Sequence, residues 1–342
     1  MSTTSLAEAI ARQPRIPLGN VVTPLEEAPR LSKRLGVRVL IKRDDLTGLA
    51  LGGNKVRKLE FLIAHAQSRN ADTIVTTGGS QSNHARLTAA ACRRAGLACY
   101  LVLDRGIHPE EQGNLLLDHL FLANVKLIES QEPTDAAREM QDLSDRLETE
   151  GRTVFIIPRG GSIPAGATGY AAMIPELLSQ IADAGEHVTD LYLATGSCGT
   201  HSGVMAGLTV SESDIAVQGI SVSRPEHLQR EKVVALGNET LRHLGLTEQI
   251  DPEKVRVDDG FVGPGYGKPT AQCMEAINIL AADEGMVLDP VYTAKAMAGL
   301  IEHTRSGKLS SSDTVVFVHT GGSPALFAYH AEAEAALATT EA

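Results

Sequence analysis

Three glycine-rich segments carry residues whose types and spacing could do chemistry. The first, Gly52-Gly53-Asn54-Lys55-Val56-Arg57-Lys58-Leu59-Glu60, places a primary amine where a helix begins. Cations favour the other end of a helix, because the N-terminus already carries partial positive charge. Two readings of Lys55 are open on these residues alone. In one it is solvated, with Arg57 and Lys58 on the same polar face. In the other, burial and the positive helix end lower its pKa, so that a neutral amine can attack a carbonyl. The second segment, Gly78-Gly79-Ser80-Gln81-Ser82-Asn83-His84, offers hydroxyl and amide donors suited to a carboxylate. Its plainer alternative is a helix capped by Ser82. The third is Thr195-Gly196-Ser197-Cys198-Gly199-Thr200-His201-Ser202-Gly203. Here glycines admit an anion close to the backbone, Ser197 and Thr200 add hydroxyl donors, and helix-terminal amides complete a phosphate cradle. It has neither the GK[ST] of a Walker loop nor dinucleotide GxGxxG spacing.

Each segment falls between an apolar, β-branched run and a helical pattern. A strand at 37–42 (VRVLIK) precedes a helix at 55–68, with Leu59, Leu62, Ile63 and Ala66 on one face. Strands at 73–77, 97–103, 125–128 and 154–157 alternate with helices at 82–95, 111–122 and 135–150. The pattern resumes with strands at 191–194, 217–221 and 314–319, and helices from 200, after Pro225, at 270–283 and at 293–306. This alternation predicts an α/β protein with two open, twisted, mostly parallel sheets flanked by helices. In such sheets ligands bind outside the carboxyl ends of the strands, where these loops lie. A phosphate, an aldehyde and a carboxylate together satisfy all three loops. Pyridoxal phosphate (PLP) carrying an amino acid supplies that set. The tail, HAEAEAALATTEA, is expected to fray or to form a surface helix.

The bulk composition removes other classes. A net charge of -11 opposes a general grip on nucleic acid or anionic membrane, although a local pocket can reverse the sign. Aromatics at 4% with no Trp disfavour a stacking platform for single strands. Cys92, Cys99, Cys198 and Cys273 form no CxxC pair and read as reduced, buried thiols. The histidines make no HExxH-like array, so no metal site is expected. The first residues lack the apolar core of a secretory signal, and no run is long enough to span a bilayer. The expectation is a cytoplasmic protein. With 342 residues the chain can build two α/β domains or one large one.

GGNKVRKLE, GGSQSNHARLTAAAC, ATGSCGTHSG, GPGYGKP, LDPVYTAKAMAGL and HTGGSPALFAY occur in that order between about residues 15 and 329. Together they resemble the D-cysteine desulfhydrase and 1-aminocyclopropane-1-carboxylate (ACC) deaminase family, PLP enzymes of fold type II. The resemblance implies a small domain at 53–166 inserted in a large PLP-binding domain made of 1–52 and 167–342, and a homodimer. It makes Lys55 the Schiff-base lysine and Gly196, Ser197, Cys198, Gly199 and Thr200 the phosphate cradle. Asn83 would hydrogen-bond the phenolic oxygen of PLP. Gly79, Ser80, Gln81, Ser82 and Asn83 would hold the substrate carboxylate, Ser82 also counting as catalytic. Tyr266 and Tyr292 match two active-site tyrosines, and Thr320, Gly321 and Gly322 would line the pyridine side. The deaminase branch has a glutamate after the second tyrosine, facing the pyridine nitrogen; here that residue is Thr293. A threonine supplies no counter-charge, which favours β-elimination over opening a cyclopropane ring. The implied substrate is a small amino acid, foremost D-cysteine. L-cysteate, ACC, or an anion-binding protein without turnover are the alternatives.

Overall fold

The computed structural model describes residues 5–130 and 132–340. Ten strands appear in chain order: β1 (Leu25–Glu27), β2 (Arg38–Lys42), β3 (Thr73–Gly79), β4 (Ala98–Asp104), β5 (Asn124–Ile128), β6 (Val154–Ile157), β7 (Asp190–Thr195), β8 (Ala216–Ser221), β9 (Val255–Asp258) and β10 (Thr314–Val318). They form a six-stranded sheet, β1-β2-β10-β7-β8-β9, and a four-stranded sheet, β5-β4-β3-β6. All neighbours run parallel except the short β1, which pairs antiparallel with β2.

Buried strand residues divide by face, as side chains alternate across a pleat. In the larger sheet Leu40, Leu191, Leu193, Val316 and Val318 enter one apolar cluster. Val39, Ile41, Tyr192, Val315 and Phe317 enter the other. Both faces are therefore covered, as parallel sheets require. The expected strands and helices are all present, with ends shifted by a few residues. β1 and β9 were not anticipated, nor were helices such as Pro164–Ala171. That last helix is buried on every side, so no apolar stripe marks it. The tail forms the helix His330–Thr340. No helix among the described residues is long and apolar enough to cross a membrane.

The helix Lys55–Gln67 corrects one expectation. It has no solvated polar face: Arg57, Lys58 and Glu60 are as buried as Leu59, Leu62 and Ile63. Arg57 donates to both oxygens of Asp44, at 2.9 and 2.8 Å, and to Glu176 at 2.9 Å. Tyr170 and Thr23 donate to the same Asp44 carboxylate at 2.5 and 2.8 Å. Lys42 pairs with Glu176 and reaches Gln180 and the Thr23 carbonyl. Leu59, Leu62 and Ile63 each contribute about 1.5–3 kcal/mol of burial, which offsets the desolvation of these charges. The network fixes the helix that begins with Lys55.

Candidate active site

The carboxyl ends of β3, β6, β7 and β10 deliver loops to one place. A small cavity is lined by Lys55, Asn83, Gly196, Ser197, Cys198, Thr200, Tyr292 and Thr320. It adjoins a chamber of about 510 Å³ that shares Lys55, Gly196, Ser197 and Tyr292 with it. The chamber adds the loop from Gly78 to Ser82, together with Arg159, Tyr266 and Tyr329. The three glycine-rich segments thus converge as expected.

Lys55 is held by its preceding loop. Gly52 has φ 71°, and a Cβ there would lie 1.8 Å from the Asp45 carbonyl oxygen, so no larger residue fits. Thr47 Oγ1 accepts from the Gly53 amide at 2.8 Å. The Asn54 amide donates to the Thr320 carbonyl at 3.0 Å, and Asn54 Nδ2 donates to Thr200 Oγ1 at 2.9 Å. The lysine loop is therefore tied to β10 and to the anion loop. Burial alone draws the Lys55 amine down to about 8. At pH 7 about one molecule in ten then carries it neutral, against about one in three thousand for an ordinary lysine.

The anion loop opens the helix Gly199–Val210. Cys198 takes a left-handed conformation, φ 77°, which costs a non-glycine residue about 1–2 kcal/mol. Ser162 Oγ accepts from the Gly199 amide at 3.2 Å and donates to Ser197 Oγ at 2.9 Å. Beside them lies Lys58, which the sequence did not single out. It is wholly buried and donates to the Gly160 carbonyl at 2.6 Å and to Ser162 at 3.3 Å. Burial, then the charge of Lys55, drives its pKa well down. An anion in the loop would supply the negative charge that Lys58 lacks. The signal in the sequence was the i, i+3 spacing of Lys55 and Lys58, one helical turn apart, with Pro158-Arg159-Gly160-Gly161-Ser162 following β6 as a fourth loop. His201, on the same helix, is buried and drawn down to about 3 by desolvation, which keeps it neutral.

The carboxylate loop opens the helix Asn83–Ala95, and Ser82 is its N-cap, accepting from the Ala85 amide at 3.2 Å. The capping residue also lines the chamber. Gln81 departs from expectation. Its Nε2 donates to the carbonyls of His108 and Gln112, and its Oε1 accepts from the Asn114 amide at 2.9 Å. The side chain is committed to holding the loop. Ser80 Oγ likewise donates to the His108 carbonyl at 2.8 Å. Asn83 Oδ1 accepts from Asn114 Nδ2 at 2.9 Å, which orients its Nδ2 as the free donor.

Tyr266 and Tyr292 share a hydrogen bond of 2.5 Å between their hydroxyls. Burial raises the Tyr292 phenol well up, with Tyr266 adding to it, while Tyr266 itself stays 42% exposed at the mouth of the chamber. Thr293 does not line either cavity. Its hydroxyl donates to Asp289 Oδ1 and accepts from the Asp289 amide, both at 2.8 Å. The amides of Val291, Tyr292 and Thr293 occupy the rest of the Asp289 carboxylate. That geometry starts the helix Thr293–Arg305 and turns the Thr293 hydroxyl to Asp289 rather than to either cavity.

A family model described as pyridoxal-phosphate dependent enzyme matches residues 16–321. The chain belongs to that family. The enzyme is 42% identical over 326 residues to the D-cysteine desulfhydrase of Salmonella newport, covering 94% of this chain and 98% of the relative. The Salmonella choleraesuis D-cysteine desulfhydrase is 41% identical over the same length. A crystal structure of an ACC deaminase homologue superposes with a TM-score of 0.89 at 35% identity, covering 98% of this chain and all of that one. An L-serine ammonia-lyase from Rhizomucor miehei, at 19% identity and a TM-score of 0.66, shares the fold.

The loops fit the family's cofactor. Lys55 is half-buried, its amine has a lowered pKa, and among the described residues it makes no hydrogen bond or ion pair to a carboxylate, as attack on an aldehyde needs. The anion loop combines helix-terminal amides, hydroxyls and the Lys58 side-chain nitrogen. A Cβ on Gly199 would lie 2.3 Å from Lys58 Nζ and 2.8 Å from Ser162 Oγ. Gly199→Ala should therefore weaken PLP binding about tenfold or more, read by titrating apo-protein and following the cofactor's absorbance. Unchanged affinity would remove Gly199 from the cradle. Because only the neutral amine reacts, capture of PLP by apo-enzyme should accelerate with rising pH around a midpoint near 8. A rate still climbing at pH 10 would show an unperturbed lysine.

Proposed function

We propose that the enzyme breaks the Cβ–S bond of D-cysteine, releasing pyruvate, ammonia and hydrogen sulfide. The likeness to D-cysteine desulfhydrases supports this over nearly the whole chain. The observation that carries it is Thr293, hydrogen-bonded to an Asp289 carboxylate already occupied by three amides. No glutamate follows Tyr292 to strengthen the cofactor as an electron sink, which opening an unactivated ring would demand.

When bound, PLP withdraws electrons from the substrate's α-carbon and makes its proton acidic. Lys58, Ser197, Thr200 and the amides opening Gly199–Val210 would hold the cofactor's phosphate, and Asn83 Nδ2 its phenolic oxygen. The amides opening Asn83–Ala95, with Ser82, receive the substrate carboxylate. Lys55, neutral once freed, takes the α-proton. Those electrons form a Cα–Cβ double bond, and sulfur leaves with the pair of the broken Cβ–S bond. Tyr292 or Tyr266 delivers a proton to the departing sulfur. One water then completes the balance, D-cysteine plus water giving pyruvate, ammonia and hydrogen sulfide.

The same reading takes 53–166 as a small inserted domain and 1–52 with 167–342 as the large one, in a cytoplasmic homodimer. The four-stranded sheet falls wholly within the first segment and the six-stranded sheet within the second, which supports the division. The test is a product assay on D-cysteine, L-cysteine, 3-chloro-D-alanine and ACC. Pyruvate with sulfide from D-cysteine is expected. If 2-oxobutyrate from ACC dominated, the argument from Thr293 would fall.

A further inference from the structure

One wall of the chamber is neither helix nor strand. It belongs to the segment that joins β9 to the helix Ala271–Glu284, and it carries Tyr266 and Lys268 into the lining. Gly265, at φ 140°, and Gly267, at φ 76°, flank Tyr266 in conformations that other residues rarely adopt. Backbone with that freedom does not by itself hold a side chain still. Yet the Tyr266 hydroxyl meets that of Tyr292 at 2.5 Å.

The segment's own hydrogen bonds are long. The Val262 amide reaches the Asp259 carbonyl at 3.2 Å and the Lys268 amide reaches the Gly265 carbonyl at 3.3 Å. Shorter ones arrive from outside. Tyr329 donates to the Gly267 carbonyl at 2.7 Å. Lys295 Nζ donates to the Val262 carbonyl at 2.8 Å and to the Gly265 carbonyl at 3.2 Å.

Lys295 is an unfavourable residue for its place. Its side chain is wholly buried, in the first turn of Thr293–Arg305, where the helix end already carries partial positive charge. Both its hydrogen bonds go to backbone carbonyls and neither to a carboxylate. Burial lowers its pKa, with Cys273 and Asp289 opposing. A methionine of similar length would fill the space without desolvating a charge. What the lysine adds is a pair of donors aimed at the segment that holds Tyr266. Tyr292 immediately precedes the same helix, and its amide is bound to Asp289 at 2.9 Å. Both members of the tyrosine pair are thus referred to one helical turn, Tyr292 through the chain and Tyr266 through Lys295.

We infer that Lys295 is a positioning residue for the acid of the elimination, fixing the 262–265 backbone so that the Tyr266 hydroxyl stays on that of Tyr292. This rests on the elimination reading above, in which one of these tyrosines protonates the departing sulfur. Its effect depends on the leaving group. Sulfur leaves D-cysteine with the bonding pair and takes the tyrosine's proton. Chloride leaves 3-chloro-D-alanine with its pair and needs no proton, and one water again yields pyruvate and ammonium. Loss of Lys295 slows the first reaction and spares the second.

The test compares holoenzyme as wild type, Lys295→Met, Tyr266→Phe and the double variant. In Lys295→Met, kcat on D-cysteine should fall about thirtyfold, with KM changed less than about threefold. On 3-chloro-D-alanine kcat should change less than about threefold, which also shows that the variant is folded. The double variant should be within about twofold of Tyr266→Phe, because both changes remove the same arrangement. Lys295→Arg, which keeps donors, should recover part of the loss. Hydrogen exchange gives a readout without turnover: amides of 259–270 should exchange at least about tenfold faster in Lys295→Met, with other segments unchanged. Should that variant fail to bind PLP, Lys295→Gln, which keeps a single donor, is held to the same outcomes. Equal falls on both substrates, additive losses in the double variant, or unchanged exchange would each overturn the inference and leave the desulfhydrase reading standing. Wild type that releases no pyruvate from D-cysteine overturns that reading instead, and exchange over 259–270 then decides the clamp alone.

Discussion

Lys55→Ala should abolish the visible absorbance of the lysine-bound cofactor and reduce pyruvate formation by at least about a thousandfold. The loss combines covalent anchoring with removal of the general base, the latter alone worth about 10²–10⁴. Stability should move the other way. Desolvation lowers the pKa of the half-buried Lys55 to about 8, so the folded protein binds fewer protons there than the unfolded chain. Its penalty is full below pH 8 and fades as pH rises through 8 toward 10.5. Apo Lys55→Ala should melt at the same temperature as apo wild type or higher at pH 7. An apo-protein clearly destabilised by the substitution would mark Lys55 as a structural residue.

Asp44→Ala should destabilise the fold by about 3–5 kcal/mol, the cost of leaving a buried cation unpaired. Asp44 is fully buried; burial would raise its pKa, but Arg57 and the hydrogen bonds from Arg57, Tyr170 and Thr23 outweigh this and hold it below its ordinary value. Its stabilising contribution is therefore present above pH 4 and lost as pH falls through the lowered value. Denaturant titration at pH 7 measures the loss, and the gap between wild type and variant should narrow in acid. A change below about 1 kcal/mol would mean that Glu176 alone suffices for Arg57. Because Arg57 lies two residues beyond Lys55, a folded Asp44→Asn variant should also shift the pH midpoint of PLP capture.

Much of this architecture was legible because it depends on local pattern. Alternating apolar runs and helical periods give parallel sheets, and loops at strand ends give ligand sites, so the pattern alone brings the glycine-rich segments together. Ser82 was readable as a cap and Lys55 as a misplaced cation, since both are judged against their own helix. Other residues were misread for the same reason. Arg57 and Lys58 look solvated on a helix considered alone, and they are buried because Asp44, Glu176, Gly160 and Ser162 come from distant parts of the chain. Gln81 looks like a substrate donor until the segment from His108 to Asn114 packs against it and takes its side chain.

The sequence by itself determined the fold class, the lysine at a helix start, the three glycine-rich loops at strand ends and the absence of a glutamate after Tyr292. Those are properties of residue identity within one or two turns of chain. Only the tertiary structure decided which cations are spent and which are free. Lys58 faces the anion loop, Arg57 is neutralised in the core, and Arg159 pairs with Asp104 beside the chamber. The physical reason is that a charge's role depends on its partners and its burial, and both are set by segments that the chain brings together only on folding.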